Sequence, residues 1–247
     1  MPDKKLISVH LPRTGGTSFW LNLKWHFKDD FLPDYADMEI AEHGIVLKKG
    51  LFRTVENDDP LYERNRYILQ QALQIADKGV GNARCVHGHM MAAKYLLLAS
   101  KEDWTFVTWM REPVSRLISY YNFWIENFDP ANDPDPEIQR YYKGSETLEK
   151  FCLNPLFRNT CQKYLWGFPL DNFEFIGLTE HFEDDLVYFA RAYLGKEIEE
   201  VNLNKTKAGK TAAQTLDPGF RKEVEAFHAG DVALYKRAVA MRKDRLG

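Results

Sequence analysis

Cysteine is scarce in this chain. Its three cysteines in 247 residues, Cys85, Cys152 and Cys161, lie far apart or at spacings unhelpful for zinc. Their odd number fits buried thiols in a reducing compartment rather than a disulfide framework. The chain also lacks any apolar run near the roughly 18–20 residues of a membrane span, and no signal peptide precedes the first apolar stretch. These absences predict a soluble, cytoplasmic protein. A dominant charge is missing too: 33 Lys and Arg against 36 Asp and Glu leave a net charge of −3. No global field then draws the molecule to nucleic acid or to a membrane surface, and any polyanion contact must be local. Internal repeats are absent as well.

What is present is length and aromatic bulk, with 6 Trp, 12 Tyr and 16 Phe. A chain of this size can bury about three-quarters of its unfolded surface without a disulfide or metal staple. It is predicted to form one domain over residues 1–247, with 31–60 and 129–146 as loop insertions. Strand-like runs at 4–10, 83–86, 104–110 and 173–178 alternate with helical periodicity at 19–27, 62–77, 90–99, 114–128 and 182–194. Short helices are expected at 147–153 and 159–165, a brief strand at 44–47, and a basic loop at 202–210. Asp217 and Pro218 read as N-cap and N1 of a long final helix, 219–245, interrupted near Gly230. This alternation predicts an α/β, three-layer fold with a mainly parallel central sheet flanked by helices.

The stretch around which the rest is organised is Ile7 to Phe19. An apolar run ends in Arg13-Thr14-Gly15-Gly16-Thr17-Ser18 and opens into a helix. Glycines let a backbone approach an oxyanion, and the first N–H groups of a helix have no intrahelical partner. The dipole and Arg13 add positive field. The loop is therefore a candidate anion cradle, although it lacks the first glycine and the Gly-Lys pair of Walker A. Arg111 and Ser119 lie eight residues apart across a strand end and the next helix, where they can face one pocket and hold a phosphate. Arg111 can equally pair with Glu112. His87-Gly88-His89 follows a strand and offers imidazole bases near neutral pH. Metal binding by that pair has no recognisable third ligand, so no metal site is predicted. His10, directly after the first strand, is either structural or loop-supporting.

The stretch His10 to Ser18 resembles the 5′-phosphosulfate loop of carbohydrate sulfotransferases, H-I-P-K-T-G-G-T-S. Arg111-Glu112-Pro113-Val114-Ser115-Arg116-Leu117-Ile118-Ser119-Tyr120-Tyr121 is similar to their R-D-P-x-x-R-x-x-S-x-Y stretch, which binds a 3′-phosphate. Gly177 to Phe182 is similar to G-L-T-E-x-F, and Asp231 to Tyr235 to D-x-x-L-Y. His87-Gly88-His89 resembles the H-G-H of the heparan sulfate 2-O-sulfotransferase branch. The resemblance runs in the family's order from residue 5 to about residue 240. It implies a P-loop NTPase-like fold and 3′-phosphoadenosine 5′-phosphosulfate (PAPS) as sulfate donor. It further implies His89 as base with His87 assisting, Arg13 at the sulfuryl end, and the backbone of Thr14, Gly15, Gly16, Thr17 and Ser18 around the 5′-phosphate. Arg111 and Ser119 would take the 3′-phosphate, and Lys205, Thr206 and Lys207 would form a closing loop. The implied partner is a hydroxyl-bearing acceptor, a saccharide or glycoconjugate. Arg13 stands where the family has lysine. The residues by themselves also allow a nucleotide-dependent kinase or hydrolase, or a non-catalytic anion- or glycan-binding module.

Overall fold

The computed structural model of the protein describes residues 4–35, 60–127, 146–196 and 216–247. In chain order the elements are β1 (Lys5–Val9), α1 (Gly16–Phe27), β2 (Phe31–Pro33), α2 (Pro60–Lys78), β3 (Cys85–Gly88), α3 (Leu96–Ala99) and β4 (Trp104–Met110). There follow α4 (Pro113–Asn127), α5 (Leu148–Cys152), α6 (Thr160–Tyr164), β5 (Phe175–Leu178), α7 (Phe182–Phe189), α8 (Pro218–Phe227) and α9 (Ala229–Leu246). The strands form a sheet in the order β2-β3-β1-β4-β5, and each neighbouring pair is parallel.

Parallel strands must be covered on both faces, and alternation along β1 shows how this is done. Leu6 faces the layer of α1 and α7, where Phe19, Leu23, Leu186 and Phe189 pack against Val107, Trp109 and Phe175. Ile7 and Val9 face the opposite layer, with Ile68 of α2, Tyr164 of α6 and Ala238 of α9. The result is an α/β, three-layer arrangement, as the alternation of elements predicts. A separate cluster under α4 joins Val114, Leu117, Tyr120 and Trp124 to Phe151, Phe157 and Val224. The chain passes from β3 over β1 to β4, so the loop after β1 sits at the switch point where open parallel sheets take ligands.

Several details differ from expectation. Phe31–Pro33 is a strand and not part of a loop insertion; its proline is tolerated because β2 is an edge strand. α1 begins at Gly16, three residues before Phe19. The 90–99 segment is a 3-10 turn, Ala92–Tyr95, followed by the single-turn α3. The final helix breaks at His228, whose Nδ1 accepts from the Asn159 N–H while Nε2 donates to the Cys152 carbonyl. Asn159 Oδ1 then receives the N–H groups of Gly230 and Asp231 at the start of α9. The expected strand at 44–47 and the basic loop at 202–210 lie outside the described residues.

Candidate active site

The anion loop is built by its backbone. Arg13 (φ 64) and Gly15 (φ 85) are both left-handed, on either side of Thr14. Such turns point successive N–H groups to one concave side. Thr14 is fully buried, its hydroxyl donating to the Leu11 carbonyl at 2.8 Å. Its own carbonyl accepts from Thr179 Oγ1 at 2.8 Å, and the same hydroxyl lies 3.1 Å from the Met110 carbonyl, at the end of β4. Thr179 thus fastens the loop to the ends of β4 and β5. No side chain caps α1, and no acidic residue occupies its first turn. The N-terminal donors therefore face an opening that favours negative charge.

Arg111 follows β4 directly. The alternative that it pairs with Glu112 is not what the structure contains. The Glu112 carboxylate instead caps α4 through the N–H groups of Val114 and Ser115 and pairs with Arg221 at 2.8 Å. Glu180 accepts from the Glu112 N–H and from the Tyr235 hydroxyl. Among the described residues the Arg111 guanidinium makes no hydrogen bond or ion pair. Burial, partly offset by the charges of Glu180 and Glu112, lowers its proton affinity. Arg13 extends toward the same place: its Nε donates to Ser119 Oγ at 3.3 Å, and its guanidinium lies 4.3 Å from the Phe123 ring centre. Burial first, and then the like charge of Arg111, pull Arg13 below the ordinary arginine range. Two guanidinium groups near enough to feel each other's charge, one of them bonded to a hydroxyl, suit the binding of an anion.

The histidines lie on the other side of the loop. His87 is 1 % exposed, with Nδ1 2.8 Å from Ser8 Oγ, and burial followed by the neighbouring His89 lowers its pKa to about 3. It is held neutral by burial at the end of β3, beside the His10 ring. His89 is half-buried and its Nδ1 donates to the His10 carbonyl at 2.7 Å. A carbonyl only accepts, so in this contact Nδ1 carries a proton. Through Nδ1, the His89 ring is tied to the backbone of His10. The His10 ring stacks on His89 with centroids 4.1 Å apart and on His87 at 5.2 Å. Stacked rings do not converge their nitrogens, and among the described residues no group of three or more His, Cys, Asp or Glu is placed to hold a metal.

Sequence reasoning missed Asp34 and Tyr35. Tyr35 is 42 % exposed and its ring stands edge-on to His89 at 5.3 Å. The Asp34 carboxylate accepts from Lys94 Nζ and from the Tyr95 hydroxyl, each at 2.7 Å. Both follow a three-residue strand that carries no periodic signal. Tyr95, Tyr120 and Trp124 are buried in the core, while Tyr121 is only partly buried against it. Lys205, Thr206 and Lys207 lie outside the described residues.

The donor set fits a nucleotide with two separated anionic groups. One would sit at the uncapped start of α1 beside Arg13, the other between Arg111 and Ser119. Comparison with protein-family models and with curated proteins finds no match. Among solved structures, the chain is similar to the crystal structure of a sulfotransferase from Alicyclobacillus acidocaldarius, at 19% identity over 97% of each chain and a TM-score of 0.44.

Proposed function

We propose that the protein is a sulfotransferase that moves the sulfuryl group of PAPS to an acceptor hydroxyl, carried on a saccharide or glycoconjugate. The observation that carries this reading is the 3.3 Å approach of Arg13 to Ser119, residues 106 positions apart. It joins the loop after β1 to the helix after β4, so that a 5′ subsite and a 3′ subsite become halves of one cleft. PAPS, when bound, supplies an activated sulfuryl group on its 5′-phosphate. The loop backbone from Thr14 to Ser18 holds the 5′-phosphate. Arg111 and the Ser119 hydroxyl hold the 3′-phosphate.

His89 Nε2 accepts the proton of the attacking hydroxyl, and the bond from Nδ1 to the His10 carbonyl stabilises the imidazolium that forms. Arg13 and the N-terminus of α1 stabilise the negative charge that grows on the departing phosphate oxygen. Arg13 cannot serve as the proton donor, since a guanidinium does not release its proton near neutral pH. Positioning and fixed charge supply most of the acceleration, with the base contributing on the order of 10²–10⁴-fold. The test is a screen of saccharide acceptors with labelled PAPS. Wild type should transfer label, whereas His89→Ala should lose turnover while still binding 3′,5′-adenosine bisphosphate. Near-normal turnover in that variant would remove His89 from the role.

A further inference from the structure

We infer that Tyr35 is a specificity-determining residue, its exposed ring being the platform on which a sugar ring of the acceptor stacks beside His89. This rests on the reading of the protein as a sulfotransferase with His89 as base and a saccharide as acceptor. The rings of His10, Tyr35 and Tyr164 lie beside that of His89, with centroids 4.1, 5.3 and 6.2 Å away. Tyr164 is fully buried and belongs to the core. The His10 ring is stacked against both His87 and His89. Tyr35, at 42 % exposure, is the one of the three that offers a large part of its surface to solvent. A sugar whose hydroxyl reaches His89 therefore comes within reach of the Tyr35 ring.

An exposed aromatic ring is common and means nothing alone. What sets Tyr35 apart is how firmly the chain beneath it is held. The N–H of Asp34 donates to the His87 carbonyl at 2.9 Å, carrying the pairing of β2 with β3 one residue past the strand. The Asp34 carbonyl lies directly over Gly88, where a Cβ would collide with it. Gly88 is thus needed for the approach of β2, which ties the His87-Gly88-His89 stretch to the acceptor side of the cleft. The Asp34 carboxylate accepts from Lys94 Nζ and the Tyr95 hydroxyl, and Lys94 is only 4 % exposed. A lysine is costly to bury unless it is paired, and this pair fixes the residue that precedes Tyr35. A phenol ring on an anchored backbone gives contact area at low entropic cost. Its face suits the C–H face of a pyranose, and its hydroxyl can donate to or accept from sugar hydroxyls.

The test is a saturation-transfer NMR titration of the full chain, without nucleotide, using the neutral disaccharides cellobiose, chitobiose and maltose. Wild type should bind at least one of them. Tyr35→Ala should weaken that binding about 3–10-fold, the loss of one ring contact. Tyr35→Phe keeps the ring and should bind as wild type does. Tyr35→Leu keeps apolar bulk without the aromatic face; it should weaken binding as well, and it supplies the measurement if Tyr35→Ala does not fold. The affinity for 3′,5′-adenosine bisphosphate, read by calorimetry, should stay at the wild-type value in each variant, which a merely structural role would not allow. Unchanged disaccharide affinity in a folded Tyr35→Ala or Tyr35→Leu protein overturns the inference. So does a parallel loss of bisphosphate affinity, or wild type binding none of the disaccharides. Because the titration omits the nucleotide, failure of the bisphosphate to bind wild type would count against the proposed function and leave the disaccharide comparison standing.

Discussion

Arg13 adopts a left-handed backbone that costs a non-glycine residue about 1–3 kcal/mol, and its side chain spends that geometry on Ser119 and Phe123. Lysine would keep the charge but lose the Nε–H bond and most of the stacking. Arg13→Lys should weaken 3′,5′-adenosine bisphosphate binding by about 3–10-fold, the net worth of one ordinary hydrogen bond, as read by calorimetry. His87 makes a prediction about pH. Its folded pKa of about 3 lies below the unfolded value near 6.5, so acid loads a proton onto the unfolded chain first. Its neutral burial is without penalty above about pH 6.5, and stability is lost as pH falls from there toward 3, by up to about 1.4 kcal/mol per unit. Urea denaturation at several pH values should show a slope shallower by one proton in His87→Gln. An unchanged slope would mean that His87 is not held neutral. The strand ends that carry the glycine loop, Arg111 and His89 were legible in the sequence, and Ser119 follows Arg111 within α4. The partner of His89 was not: a backbone carbonyl has no letter of its own.

At the scale of elements, the order of strands and helices was readable because periodicity and turn residues mark long segments. β4 combines aromatic and β-branched residues, ends in Met110, and is buried throughout. β2 escaped, since three residues ending in proline present no period, and Asp34 and Tyr35 went unseen with it. The Asp231-to-Tyr235 stretch shows its purpose only in three dimensions. Asp231 pairs with the fully buried Arg116 of α4 and accepts the N–H groups of Cys161 and Gln162, locking α9 to α4 and α6. Asp231→Asn should destabilise the protein by about 3–5 kcal/mol, the cost of leaving a buried arginine without its charge partner. Chemical denaturation measures this directly, and a loss under 1 kcal/mol would contradict it. Thr179→Val removes the hydroxyl that ties the loop to β4 and β5. It should lower bisphosphate affinity about 5-fold with a small fall in melting temperature, the net worth of one hydrogen bond.

Across the whole molecule, helices cover both faces of a parallel sheet, and the chain crosses over β1 between β3 and β4. That crossing brings the loop after β1, the arginine after β4 and the histidines after β3 to one edge, although a net charge of −3 gives no hint of an anion site. Positive charge is concentrated where Arg13 and Arg111 repel each other, only partly offset by nearby carboxylates. Among the described residues no helix is long and apolar enough to cross a membrane. The central claim is that this edge reads a phosphate at the 3′ position as well as one at the 5′ position. Calorimetry with 3′,5′-adenosine bisphosphate, adenosine 5′-monophosphate and ATP plus magnesium tests it most directly. The bisphosphate should bind about 30–100-fold tighter than the monophosphate, as one added bidentate phosphate contact would give, and tighter than ATP. Equal affinity for the two adenosine phosphates, or a preference for ATP with magnesium, would contradict it.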